Sequence, residues 1–248
     1  MIDTHCHIHE EGYPFPPEEV IMRAEDAGVT EYICIGTNEE SSRQAIDFAK
    51  DHKNAYAVVG VHPHDSKDGY EDIAELADTP GVVGVGEIGL DYFYTHSDKK
   101  TQQEAFRAQL AIAHARNLPV SFHVRDGFDD FWPIFDSFDG IRGVLHSYTD
   151  SQDNLERALE KGLYIGVNGI STFTKDEKQQ AMYDGIPLDR LLLETDAPFL
   201  TPHPFRGKIN EPAHVRLVAQ YHASRRGISI EEIAAATTAN ARALFALT

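Results

Sequence analysis

The sequence predicts an α/β protein, a (β/α)8 barrel of the TIM type in a single domain spanning 1–248. Three observations lead there. Eight short runs rich in apolar and β-branched residues recur along the chain, and longer amphipathic segments lie between them. The length, 248 residues with 42% hydrophobic, is ordinary for eight strand–helix units. No long linker, low-complexity tract or internal repeat divides the chain.

The expected strands are 1–7 (MIDTHCH), 31–36 (EYICIG), 55–62 (AYAVVGVH) and 82–90 (VVGVGEIGL). The second four are 119–124 (PVSFHV), 143–148 (GVLHSY), 163–167 (LYIGV) and 191–195 (LLLET). Helical patterning covers 17–27, 41–52, 70–77, 101–116, 128–137, 152–160 and 175–183. Two more helices, 214–225 and 230–245, follow the last strand. Asn38 or Ser41 is placed to cap the second helix, and Gly28 and Gly162 fall where helices stop. Pro119 keeps the residue before it out of the helical region, which separates the fourth helix from the fifth strand. Alternation does not by itself decide closure, so a doubly wound open sheet remains open at this point.

Composition narrows the function. Lys plus Arg number 22 against 40 Asp plus Glu, a formal net charge of -18. Coating DNA or RNA needs a basic surface, because phosphate neutralisation drives it. An enzyme that engages one strand end, with bound metal supplying positive charge, is compatible with this acidity. The two cysteines, Cys6 and Cys34, cannot form a disulfide framework and read as buried thiols. No apolar run reaches membrane-spanning length and no secretory signal is visible, so a cytoplasmic enzyme with no membrane partner is expected.

The chemistry sits in the strands. Residues two apart on a strand face one side, so His5 and His7 point together, with Asp3 on the same side and Cys6 opposite. Glu87 lies in a glycine-rich apolar strand, where an ionised carboxylate needs a partner. His123 falls late in the fifth run, with Arg125 on its side, and His146 takes the equivalent place in the sixth. Glu194 and Asp196 close the eighth, on one side, before Pro198. Each has a plainer explanation alone: a hydrogen-bonded core histidine, a salt bridge for Glu87, a helix cap for Asp196. Together they converge, because the C-terminal strand ends of a parallel barrel share one face. Four imidazoles and two carboxylates suit Zn, Mn or Mg rather than a thiolate-loving metal. Six ligands exceed one tetrahedral zinc, so two divalent ions are expected, with Glu87 as the bridge.

The motifs DTHCHIH, GVHPH, VGEIGLDY, FHVRD, LLLETDAPFL and RGKINEP together resemble the TatD family of metal-dependent deoxyribonucleases, within the amidohydrolase-like barrels. The resemblance implies that His5, His7 and Asp196 hold one metal and that His123 and His146 hold the other, with Glu87 shared. It implies that His62 lies near a substrate phosphate and Glu194 near the attacking water, with Arg206, Lys208, Asn210 and Glu211 bordering the site. One departure stands out. Where the family has a segment similar to His-Cys-Phe-Ser-Gly, this chain reads HSYTDS, with Asp150 in place of the glycine.

The expected activity is hydrolysis of DNA phosphodiester bonds, trimming a single-stranded 3' end, by a monomer. Arg125, Arg206 and Lys208 are the candidate phosphate partners, and Asp196 and Glu194 the catalytic carboxylates. The same metals could instead cleave an amide, lactone or ester, since fold does not fix substrate. That reading needs a closed apolar pocket, for which Phe93, Tyr94 and Tyr148 are available. A non-catalytic scaffold is the third reading. All six ligand positions carry competent residue types, which argues against it.

Overall fold

The computed structural model describes residues 1–247. Its strands are β1 Ile2–Cys6, β2 Glu31–Ile35, β3 Ala55–Val59, β4 Val82–Asp91, β5 Val120–Arg125, β6 Gly143–Leu145, β7 Tyr164–Val167 and β8 Leu191–Leu193. They form one eight-stranded sheet in chain order. The helices are α1 Pro17–Asp26, α2 Glu39–Asp51, α3 Ile73–Leu76, α4 Lys99–Arg116, α5 Phe128–Phe135, α6 Gln152–Glu160, α7 Ile170–Phe173, α8 Glu177–Gly185, α9 Val215–Arg226 and α10 Ile230–Phe245. This is the (β/α)8 barrel that the sequence predicts. By packing, residues 1–34 with those from 146 onward form one compact unit, and residues 35–145 form a second.

The first unit holds the seam between the first and last strands. Cys6 bridges Ala197 in parallel, the His7 N–H donates to Ala197 O at 2.8 Å, and the Asp196 N–H donates to His5 O at 2.8 Å. A doubly wound open sheet has no such seam, so closure is decided here. β7 pairs with β8 in parallel. Gly166 in β7 leaves room that a side chain would fill, because a Cβ there would lie 2.4 Å from Glu194 Oε2. Beneath the seam Asp3 is fully buried, accepting the Thr195 N–H at 2.9 Å and also the Thr195 hydroxyl. Burial pushes the Asp3 carboxyl up to about 8, against the downward pull of these bonds.

In the second unit β3, β4, β5 and β6 pair in that order, all parallel. α4 and α5 cover them with a ring cluster. Phe131 stacks on Phe106 at 5.3 Å and meets Phe122 of β5 edge-on at 5.3 Å. Each such ring stabilises the fold by about 1.5–3 kcal/mol through burial. α4 also carries two buried glutamines one heptad apart. Gln109 holds Val61 with bonds of 2.7 and 3.1 Å, and Gln102 holds Asp91 with two bonds of 2.9 Å. They satisfy the peptide groups of Val61 and Asp91 beside the ends of β3 and β4, where the site begins.

Several boundaries differ from the expectation. β3 stops at Val59 and β8 at Leu193, so His62, Glu194 and Asp196 stand in loops. Asp196 has a φ of 59°, so the chain turns there and the strand alternation that would align Glu194 with Asp196 is gone. Asn38 wins as the cap of α2, its side chain accepting the Ser41 N–H at 2.9 Å, and α2 starts earlier than expected. The expected helix at 70–77 shrinks to the single turn of α3, and α7 has no counterpart in the periodicity. Four residues are too few to show a helical period.

Candidate metal centre

In the first unit, β1 delivers His5, fully buried, and His7, 3% exposed, from its C-terminal end. The Nε2 atoms of both approach one oxygen of Asp196, at 3.7 Å for His5 and 3.3 Å for His7. The His146 ring stacks on that of His5 at 3.9 Å. Burial pushes the Asp196 carboxyl up, but the His7 hydrogen bond and the charges of His5 and His146 outweigh it, and the net shift is downward. Asp196 is therefore an anion with imidazole nitrogens aimed at it, which is the chemistry of a divalent-cation ligand set.

Glu194 has a different place. Its Oε1 accepts the Ser147 N–H at 2.6 Å and lies 3.4 Å from His146 Nδ1. Glu194 is buried against His146, and a carboxylate so placed fixes the orientation of an imidazole. Glu194, His5 and His146 also form a group of donors close enough to hold a cation.

The second unit holds Glu87, His123 and His62, with two residues that the sequence reading passed over. His123 lies between two carboxylates, its Nδ1 2.7 Å from Glu87 Oε1 and its Nε2 2.9 Å from Asp91 Oδ2. Asp91 is 1% exposed, and His64 Nε2 lies 3.1 Å from the same Oδ2. Burial alone would push the Asp91 carboxyl up. The His123 bond, the Tyr94 N–H and the charge of His64 hold it well below the usual range instead. A signal for Asp91 was present, since Glu87, Gly89 and Asp91 share the alternation of β4. Gly89 is required beside them: its φ is 147° and a Cβ would lie 2.0 Å from His123 O.

His62 is set by a backbone bond. The His64 N–H donates to His62 Nδ1 at 3.1 Å, so the neutral ring carries its proton on Nε2. Burial first, and then the neighbouring His123, push its pKa well below the ordinary histidine value, although Glu87 pulls upward. His62 is thus a neutral N–H donor. Its Nε2 sits 3.7 Å from Glu87.

The remaining candidates are engaged in contacts of their own. Arg125 is exposed, its guanidinium 3.8 Å over the Phe93 ring. Arg206 packs 3.7 Å over Phe173 and donates to Thr201 O at 2.8 Å, and Lys208 lies 5.4 Å over Phe205. Asn210 is fully buried. Its amide donates to Thr195 O at 2.8 Å and Phe199 O at 2.6 Å, and its carbonyl accepts the Glu211 N–H at 3.0 Å. That makes it a brace for the loop after β8 rather than a group open to substrate. Glu211 pairs with Arg23 at 2.6 Å. Tyr148 is buried with its hydroxyl on Ser151 O, while Phe93 and Tyr94 are exposed, so the latter two are not walls of a closed pocket.

The imidazole-and-carboxylate donor set agrees with comparison to known proteins. The model of the TatD related DNase family matches residues 2–246. This chain belongs to that family. Among its relatives, the metal-dependent hydrolase YabD of Bacillus subtilis (strain 168) is 39% identical over 251 residues, covering 99% of this chain and 98% of its own. The 3'-5' ssDNA/RNA exonuclease TatD of Citrobacter rodentium is 37% identical over 262 residues, covering 100% and 98%. The crystal structure of the TatD homologue YjjV of Escherichia coli superposes with a TM-score of 0.90 at 31% identity, covering 100% and 98%. This TatD-family chain is accordingly a metal-dependent hydrolase. Its His, Asp and Glu clusters fit divalent cations, and both cysteines are buried and free.

Proposed function

We propose that this TatD-family hydrolase removes nucleotides from the 3' end of single-stranded DNA, using two divalent ions held by His5, His7, Glu87, His123, His146 and Asp196. The observation that carries the reading is the pair of imidazole–carboxylate clusters borne by the C-terminal halves of β1, β4 and β5 and by the residues just after β1, β6 and β8. In a barrel of this class such strand ends build one catalytic face. The naming of relatives as single-strand exonucleases supports the substrate. A cytoplasmic setting fits the two free thiols.

Two divalent ions held by these residues would supply Lewis acidity at the site. The protein groups do the rest. Asp196, anionic and flanked by His5 and His7, accepts the proton of the attacking water. His62 offers its Nε2–H as a hydrogen bond to a phosphate oxygen, which its fixed tautomer allows without titration. Glu194 and Asp91 orient His146 and His123.

The test is to incubate the metal-loaded protein with end-labelled single-stranded and duplex DNA, and with simple esters. Stepwise shortening of the single strand from its 3' end is expected. Hydrolysis of esters with the oligonucleotide intact would overturn the reading.

A further inference from the structure

Two of the large apolar side chains left in solvent lie side by side. Phe93 is 53% exposed and Tyr94 45% exposed. Their ring centroids are 4.7 Å apart at 83°. Exposed rings of this size forgo the stabilisation that burial gives, so a fixed pair invites a functional explanation. The pair is held in place. Asp91 Oδ1 accepts the N–H of Phe93 at 3.0 Å and of Tyr94 at 3.1 Å. The same carboxylate, through Oδ2, bonds His123.

Arg125 completes the surface. Its guanidinium lies 3.8 Å over Phe93 and 5.2 Å from the Tyr94 centroid. Among the described residues no carboxylate pairs with it, although the chain carries a net charge of -18. A cation kept on two rings in an acidic protein is complementary to a ligand with both a flat apolar face and a negative charge. The surface also touches the site. The Tyr94 ring meets the His64 ring edge-on at 5.6 Å, and His64 lies 3.1 Å from Asp91.

We propose that Phe93, Tyr94 and Arg125 form a stacking platform for an unpaired nucleobase of single-stranded nucleic acid, with Arg125 meeting an adjacent phosphate. This rests on the nuclease reading and deepens it by giving the preference for single strands a physical origin. An unpaired base offers both ring faces, whereas a base inside a duplex has them covered by its neighbours. Two rings and one guanidinium match a base and a phosphate. They are far smaller than a stable protein–protein interface requires.

The test uses a double variant, Phe93→Leu with Tyr94→Leu, which keeps apolar bulk at two exposed positions and removes the aromatic faces. Fluorescence anisotropy on the metal-loaded protein compares a labelled oligothymidylate with an abasic strand of equal length, both with phosphorothioate linkages to block cleavage. The wild type should bind the base-bearing strand on the order of tenfold or more tightly than the abasic one. The double variant should bind both strands alike, with an unchanged melting temperature. Phe93→Trp should keep the preference. A wild type that binds both strands equally, or a double variant that keeps the full preference, overturns the proposal. Cleavage of the unmodified strand is scored separately. A base preference without any cleavage sinks the nuclease reading and leaves the platform as a binding site.

Discussion

Asp91 Oδ2 lies 2.9 Å from Nε2 of His123, on the side of the ring away from Glu87. This fixes the imidazole plane and makes Nδ1 the nitrogen that faces Glu87. A carboxylate behind a ligating histidine raises its basicity and selects its tautomer.

Asp91→Asn tests that role. The Asn carbonyl can still accept the Phe93 and Tyr94 N–H groups, so the turn should survive. The amide places a donor against His123 Nε2 and favours the wrong tautomer. Calorimetric titration with Mn²⁺ should show affinity about 10–100-fold weaker, with little change in melting temperature. Unchanged metal affinity would remove Asp91 from the site.

Asp196 and His146 should separate in their effects. At a φ of 59° asparagine is tolerated far better than alanine, so Asp196→Asn avoids backbone strain. It should still bind metal, more weakly, and lose on the order of 10²–10⁴-fold in turnover through loss of the base. His146→Ala should instead lose a ligand, and excess metal should restore part of its rate. The measurement is metal content and phosphodiesterase rate over a metal titration. A fully metallated Asp196→Asn protein with near-normal turnover would pass the role of base to another group.

Gly89→Ala should be destabilising although it adds one methyl. The Cβ would lie 2.0 Å from His123 O at a φ of 147°. Strain of this kind costs about 1–3 kcal/mol, before any displacement of β5. Urea unfolding would measure it, and a midpoint equal to that of the wild type would show that β4 and β5 adjust freely.

His222 predicts an acid limb of stability away from the metal cluster. It is fully buried, with Nε2 2.9 Å from the Ser171 hydroxyl. Burial first, then Arg226 and Arg225 against the opposing Asp184, push its pKa down to about 3. The folded ring stays neutral while the unfolded ring takes a proton below about 6.5. Its contribution is therefore present above that value and is lost as pH falls from about 6.5 toward 3, by up to about 1.4 kcal/mol per pH unit. Denaturant unfolding across this range should show a shallower slope for His222→Gln. An identical slope would show that other groups carry the acid limb.

The local pattern of the sequence determined the fold class and the donors. Eight apolar runs separated by amphipathic segments specify strand–helix units, because period two and period 3.6 are properties of the backbone itself. His5 and His7 share a face for the same reason, and an acid such as Glu87 in an apolar strand announces a partner. The partners themselves were decided by tertiary structure. Closure rests on the Cys6–Ala197 seam, between residues far apart in the chain. Glu194 parts from Asp196 because the backbone turns at Asp196, and Asn210 is consumed by Thr195 and Phe199 once its loop folds over them. Asp91 enters the cluster only because β4 and β5 lie in register, with Gly89 admitting the close approach of His123. Periodicity fixes which way a side chain leaves its own strand. Which atom it meets depends on distances between strands, and those are set by packing the whole barrel.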